Sequence, residues 1–344
     1  MEVVTDGEMR RFLFMGPITE TVAGIEIVEH GTSMPWASPE GETEWVAPAA
    51  VTSKLHKKRS MVCEEYSYAR ARARLPLKVT VPSPLVLYGF WNTEYSTDAY
   101  SDPFEMFADA AEVGRSEVDE LVALGCEYIQ VDAPELATLV DPRIRDWATA
   151  QGMPAERMLT DGIDLINGMV SGVSGTRLAI HLCRGNNAGM WMASGGYDYI
   201  ATALYERATA FDAFLLEYDD PRSGSFEPLA QAPADRQVVL GLVSTKSARE
   251  ETVDEITARI DEAAASSRAS NSESRRSAAS PRSPSAIRSP RRPSRTSCAW
   301  SPTWPRPCGA SCDGAQRAGR PARELRQRSG HRLLSRRMLS HRPR

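Results

Sequence analysis

Short apolar runs alternate with longer helical patterns from residue 3 to about residue 264, and this alternation limits the possible folds. Each run is brief and rich in β-branched or aliphatic residues, which is typical of a strand buried on both faces of a parallel sheet. The six runs are residues 3–5, 78–81, 128–131, 178–181, 213–216 and 238–241. Strands that alternate with helices predict βα units and an α/β fold.

Three segments between or after these runs have helical patterns. In residues 103–124 the apolar side chains recur near one helical face, and residues 196–207 and 252–263 have helical length and spacing. Gly195 and Gly196 form a turn signal before the second segment. Six βα units are fewer than the eight of a closed barrel. Because the chain opens directly with a strand, we expect one unit to be missing before Met1.

Composition changes abruptly near Ala264. Nineteen of the 41 basic residues follow it, but only three of the 45 acidic residues do. This part is dominated by Ser, Arg, Pro and Ala, a composition that cannot bury a core. We therefore divide the chain into a folded part, residues 1–264, and a disordered Arg/Ser/Pro-rich tail, residues 265–344.

Two interpretations of the tail stay open. It is either a genuine basic extension that binds RNA or acidic partners, or the product of a changed reading frame. With GC-rich codons, a shifted reading of residues 270–280 spells Gln-Leu-Gly-Val-Thr-Pro-Gln-Cys-Gly-Phe, a strand followed by a cysteine loop. Residues 286–289 and 300–310 also give plausible structure in that frame. We favour the frame change.

Composition also limits the location and partners of the folded part. The sequence has no run of eighteen apolar residues and no basic and apolar leader at Met1, which predicts a cytoplasmic protein without a membrane span. Its six cysteines then represent reduced thiols or metal ligands. An acidic folded part argues against nucleic acid as a partner, because phosphate binding requires a basic face.

The segment His181-Leu182-Cys183 ends one of the predicted strands. Side chains at i and i+2 of a strand share a face, so His181 and Cys183 lie together. Imidazole nitrogen and thiolate sulfur are zinc ligands, and barrel chemistry lies at the carboxyl ends of the strands. Ordinary packing also explains a His-x-Cys pair on a strand. Without further context, such a pair is more often a packed pair than a zinc site.

Three acidic residues follow other predicted strands. Glu217 ends the next strand along the chain and reaches the same rim; it serves either as a ligand or as one half of a salt bridge with a neighbouring Arg. Glu8 and Asp132 end two earlier strands. Each of these two is suited to holding a substrate ammonium group, or equally to capping a helix.

Four motifs occur together in the order seen in cobalamin-independent methionine synthases. They are Val4-Thr5-Asp6-Gly7-Glu8, Ile129-Gln130-Val131-Asp132-Ala133-Pro134, Ile180-His181-Leu182-Cys183 and Phe214-Leu215-Leu216-Glu217. Residues 3 to 262 resemble the catalytic C-terminal barrel of this family, especially its short single-domain relatives. The resemblance implies a TIM-type (βα)8 barrel of the methionine synthase and uroporphyrinogen decarboxylase-like kind, incomplete here, with about six units.

The resemblance also implies a reaction and a site. His181, Cys183 and Glu217 correspond to three zinc ligands, and Glu8 and Asp132 to acids that bind the amino group of homocysteine. The fourth ligand is a cysteine that appears only in the shifted reading, so we expect weak zinc binding and little activity. Zinc activates the homocysteine thiol, which takes a methyl group to give methionine.

This sequence departs from the family pattern near the seventh strand of that pattern, at Ser244-Thr245-Lys246. Lys246 stands in a segment where the family has a histidine, and we assign it as the proton donor. The methyl donor stays open between methyltetrahydrofolate and a corrinoid protein. Two alternatives to methionine synthesis stay open as well: another thiol alkyltransferase on the same zinc barrel, and a non-catalytic fragment whose basic tail binds nucleic acid.

Overall fold

A computed structural model describes residues 3–11 and 13–277 of the chain, with side chains through Ser267. The strands are β1 (Val22–Ile27), β2 (Ser33–Ser38), β3 (Gly41–Val46), β4 (Ala49–Lys57), β5 (Lys78–Pro82), β6 (Tyr128–Asp132), β7 (Arg177–Leu182), β8 (Ala213–Glu217) and β9 (Gln237–Gly241). The α-helices are α1 (Gly16–Thr21), α2 (Cys63–Arg70), α3 (Pro103–Ala123), α4 (Pro134–Thr138), α5 (Pro142–Ala150), α6 (Ala155–Arg157), α7 (Ile163–Val170), α8 (Asp198–Arg207) and α9 (Val253–Ser277). Short 3-10 segments span Pro84–Phe90, Pro221–Ser223 and Glu227–Gln231, and a π-helical turn spans Met158–Gly162.

Five parallel strands form the main sheet in the order β5-β6-β7-β8-β9, so each strand pairs with the next one along the chain. Five of the six predicted apolar runs coincide with these strands. The first predicted run lies beside them, because Val4 forms a parallel bridge with Leu77 and its carbonyl accepts from Lys78 N at 2.8 Å. The α/β class and the predicted strand positions are therefore confirmed.

The burial of these strands follows their place in the sheet. All five residues of β6 are buried, and β8 is buried except at its middle residue. Strand β9 instead alternates exposed and half-buried residues. It is the last strand of the sheet in the part of the chain that the structure describes. Its backbone therefore pairs with β8 on one side only.

Helix α3 shows how local sequence sets an element. The Asp102 side chain accepts from Phe104 N at 2.9 Å and caps the helix, and Pro103 occupies its first turn, where no backbone donor is required. The five apolar residues predicted to share a face are all buried: Phe104, Phe107, Ala111, Val118 and Leu121. Their burial fixes α3 against α7, β4 and the segment Pro84–Phe90.

The last helix, α9, extends beyond the predicted division at residue 264. It packs its first turns on the segment Glu227–Gln231, where Arg259 lies 5.2 Å from the Phe226 ring centroid. Residues 278–344, and with them the predicted cysteine loop and the rest of the predicted tail, lie outside the described residues. The division into a folded part and a disordered tail stays a prediction. No helix in the described ranges is long and apolar enough to cross a membrane.

Two antiparallel pairs between the first run and β5 were not predicted from the sequence. Strand β1 pairs with β4, and β2 pairs with β3 through a tight connection. The β2–β3 hairpin joins the loop that follows β7, because Ala37 N donates to Trp191 O at 2.7 Å and Trp191 N donates back at 2.9 Å. Pro39 and Glu40 connect the two strands and Gly41 follows them as the first residue of β3, and this Pro-x-Gly segment was the available signal for the hairpin.

Candidate functional site

The carboxyl ends of β6 and β7 bring three of the predicted site residues together. Asp132 is in register with His181, and His181 Nδ1 lies 2.8 Å from Asp132 Oδ1. Cys183 follows two residues later and interacts with the same imidazole. Burial lowers the pKa of His181, but neighbouring Cys183 and the hydrogen bond to Asp132 raise it well above its ordinary value. The pairing of Asp132 with His181 was not predicted.

Asp132 is itself held from inside the sheet. Gln130 Nε2 donates to Asp132 Oδ1 at 2.6 Å, and Lys78 Nζ donates to Gln130 Oε1, also at 2.6 Å. Burial lowers the pKa of Lys78, while the charges of Asp132 and Glu8 oppose that shift. The hydrogen-bonded series Lys78, Gln130, Asp132 and His181 therefore fixes the orientation of the Asp132 carboxylate. The carboxylate in turn fixes the plane of the imidazole ring.

Glu217 ends β8 and is 8% exposed. Its Oε2 accepts from the backbone N–H of Arg184 at 2.6 Å, and its Oε1 accepts from Lys246 Nζ at 2.9 Å. Arg222 lies farther away, at 3.6 Å. Glu217 thus forms the salt bridge that the sequence left open, but its nearest side-chain partner is a lysine rather than an arginine.

Arg184 directly follows Cys183 and is fully buried, and it was not predicted to be part of the site. Its guanidinium donates to Gly195 O at 2.9 Å and to Glu217 O at 2.8 Å, and it lies 4.2 Å from the Tyr197 ring centroid. Tyr197 in turn donates to Leu182 O and accepts from Glu217 N. Together the two side chains tie the end of β7 to the end of β8.

Lys246 follows β9 and lies between two carboxylates. Its ammonium group is 2.9 Å from Glu217 Oε1 and 3.0 Å from Asp219 Oδ2. Ser244 also donates to Asp219 Oδ2, at 2.8 Å. Burial lowers the pKa of Lys246, but the hydrogen bonds and charges of Glu217 and Asp219 raise it above its ordinary value. Lys246 therefore carries a charge at neutral pH.

Glu8 lies at the end of the first predicted strand with a positive φ of 53°, which is uncommon for a residue other than glycine. Its Oε1 accepts from Arg11 at 3.2 Å and from Thr80. Arg11 also bonds Glu65 at 2.8 Å and has a side chain that is 2% exposed. Within the described residues no hydrogen bond or ion pair links Glu8 to Asp132 or His181.

The predicted metal ligands fit zinc by their chemistry. A nitrogen, a sulfur and a carboxylate oxygen are donors that zinc accepts. His181 turns Nδ1 to Asp132, so Nε2 is the ring nitrogen left for a metal, which would bind the deprotonated ring, and Cys183 is a free, partly buried cysteine. Glu217 is the exception, because Lys246 Nζ occupies its Oε1 and the Arg184 N–H its Oε2. In the described part of the chain, the ligand atoms of His181, Cys183 and Glu217 do not all lie within 4.8 Å of one another.

A second cluster of ligating atoms lies away from these strand ends. Among the described residues, the atoms of Cys63, Glu117 and Glu120 lie within 4.8 Å of one another. Lys57 bonds both carboxylates, at 2.9 Å and 2.5 Å, and Glu117 also accepts from Val62 N. Burial raises the pKa of Cys63 to about 12, which keeps it a thiol. We interpret this cluster as an ion pair that fastens α2 and β4 to α3.

Comparison with known proteins gives consistent relatives. Residues 1–274 match the family model for the catalytic domain of cobalamin-independent synthase. The chain is 30% identical over 267 residues to the uncharacterized protein YxjH of Bacillus subtilis, which covers 77% of this chain and 69% of that protein. It is 24% identical over 257 residues to the methionine synthase of Saccharolobus solfataricus, which covers 74% of this chain and 65% of that protein. Its fold is similar to that of a B12-independent methionine synthase from a Shewanella species, with a TM-score of 0.57 and 18% sequence identity. The similarity covers 76% of this chain and 71% of the Shewanella protein.

Proposed function

The chain belongs to the family of the cobalamin-independent synthase catalytic domain, and from this premise we propose that it is a zinc-dependent methyltransferase acting on the thiol of homocysteine. The observation that carries the proposal is the cluster of His181, Cys183 and Asp132 at the carboxyl ends of adjacent parallel strands. In a barrel these ends form the catalytic face. We propose further that the sheet is the wall of a TIM-type barrel with about six βα units.

His181, Cys183 and Glu217 are the residues we assign to the metal. Zinc held there would supply a Lewis acid that keeps a bound thiol deprotonated at neutral pH. Asp132 orients the imidazole, so that the ring presents one nitrogen to the metal and the other to the carboxylate. Arg184 and Tyr197 keep the strand ends at a fixed separation, which sets the distance between Cys183 and Glu217.

Asp132 and Glu8 are the acids we assign to the ammonium group of homocysteine. Both described contacts of the Asp132 carboxylate use Oδ1, and we assign Oδ2 to the substrate. Glu8 already forms an ion pair with Arg11, so it would attract a substrate ammonium group less strongly than an unpaired carboxylate would. We keep the assignment of Lys246 as the proton donor. Methyltetrahydrofolate or a corrinoid protein is the methyl donor we propose, and the cytoplasm is the proposed location.

The proposal is tested by measuring bound zinc and methionine formation in the purified full chain. Homocysteine is supplied with methyltetrahydrofolate, its polyglutamate form, or a methylated corrinoid protein. Cys183→Ala should lose zinc and methionine formation together, because the thiolate ligand is gone. Cys126→Ala is the matched control, since that buried thiol contacts Tyr128 O and should leave zinc unchanged. Zinc content that is the same in Cys183→Ala and wild type would contradict the proposed site.

Another thiol acceptor is the second candidate, and one observation favours keeping it. The pairing of Glu8 with Arg11 leaves less negative charge for a substrate ammonium group than the family resemblance implies. The same assay with thiols that lack an amino group separates the two. Methylation of such thiols at the rate found with homocysteine would show that the enzyme is a different thiol alkyltransferase.

A further inference from the structure

Both oxygens of the Glu217 carboxylate are already occupied by groups of this chain. The backbone N–H of Arg184 holds Oε2 at 2.6 Å, and Lys246 Nζ holds Oε1 at 2.9 Å. The Arg184 N–H belongs to the backbone directly after Cys183. The buried Arg184 side chain holds this backbone in place through its hydrogen bonds to the carbonyl groups of Gly195 and Glu217. The second contact comes from a flexible side chain. A metal that binds Oε1 of Glu217 therefore competes with the Lys246 ammonium group, whereas the Arg184 N–H stays on Oε2.

Asp219 provides a place for the displaced ammonium group. Its Oδ2 is 3.0 Å from Lys246 Nζ, so the lysine needs little movement to pair with Asp219 alone. Ser244 donates to the same oxygen, and Arg222 lies 3.7 Å from Oδ1. The Asp219 side chain is 5% exposed, which keeps water from replacing it as the partner.

We propose that Lys246 is a built-in competing cation, which neutralises Glu217 until a metal binds there and then pairs with Asp219. The inference rests on the proposed metal site and adds a specific role for Lys246 and Asp219. The positive charge of Lys246 close to the metal position weakens metal binding, and its pairing with Glu217 stabilises the protein before the metal arrives. Lys246 is thus a positioning residue for the carboxylate ligand.

The test measures zinc affinity of the full chain by competition with a chromophoric chelator. Lys246→Met removes the charge and keeps much of the side-chain length, and we expect zinc to bind about tenfold tighter or more. Lys246→Arg keeps the charge and should bind zinc like the wild type. Asp219→Asn removes the alternative partner, so it should weaken zinc binding.

Thermal unfolding gives a second readout. In the presence of a chelator, Lys246→Met should melt below the wild type, because Glu217 is buried without its cation. Zinc should raise the melting temperature of this variant more than that of the wild type. If Lys246→Met does not fold, Lys246→Gln provides the same comparison with a polar side chain, and Asp219→Asn provides the opposite shift in zinc affinity.

The outcomes separate this inference from the proposed function. Wild-type zinc binding that depends on His181 and Cys183 but does not change in Lys246→Met, or weakens there, would overturn the role of Lys246 alone. Absence of zinc binding in both wild type and Lys246→Met would overturn the metal site and this inference together. Tighter binding in Lys246→Met that is lost in its double mutant with Cys183→Ala would support both.

Discussion

Replacing Asp132 with asparagine tests whether this carboxylate acts through His181. The substitution keeps the shape of the side chain and removes its charge, while His181 Nδ1 at 2.8 Å keeps a neutral oxygen partner. A hydrogen bond to a charged group contributes about 1.5–3 kcal/mol and one between neutral groups about 0.5–1.5 kcal/mol. The expected loss is therefore about 1.4 kcal/mol, or about a tenfold weaker affinity for zinc. Outer-shell partners of metal-bound histidines generally contribute about 10- to 100-fold.

Zinc affinity and the KM for homocysteine are measured on the same preparations. If Asp132 both orients His181 and binds substrate, Asp132→Asn weakens zinc and raises KM even when zinc is saturating. Asp235→Asn is the control, because Asp235 is 78% exposed and its ion pair with Arg236 is long, at 3.8 Å. Wild-type zinc affinity in Asp132→Asn would refute the orienting role and leave Asp132 with the substrate alone.

Three further predictions concern buried charges. Glu117→Gln should lower the free energy of unfolding by about 2 kcal/mol in urea denaturation, against less than about 1 kcal/mol for the half-exposed Glu120→Gln. Burial raises the pKa of Glu117, but its hydrogen bonds lower the pKa more, so the pKa in the folded protein lies below its ordinary 4.5. The ionised Glu117 therefore stabilises the protein above pH 4.5, and this stabilisation is lost as the pH falls through the pKa of the folded state. Glu117→Gln should not show this loss of stability in acid. Arg184→Met should cost about 3 kcal/mol or more, because buried carbonyls lose their donors, and unchanged stability would contradict this account. Burial raises the pKa of Glu135 to about 8, so wild-type stability should fall as pH rises from about 5 to 8, and Glu135→Gln should remove that slope in the same urea assay.

The strands of the main sheet could be predicted because the signal is local. A run such as residues 128–131 is apolar enough to be buried wherever the chain places it, and the structure buries all of β6. The hairpin of β2 and β3 lacked this signal, since β3 exposes Glu42 and Glu44. Its position depends on Ala37 pairing with Trp191, a contact between distant parts of the chain.

The candidate site divides in the same way. The sequence alone determined that His181 and Cys183 share a strand end, because the two-residue period of a strand is a property of the local backbone. Only the tertiary structure decided which charges meet: Asp132 with His181 across 49 residues, and Lys246 with Glu217 across 29. The partner of a buried charge depends on which groups share its low-dielectric surroundings, and chain folding rather than local sequence assembles those surroundings.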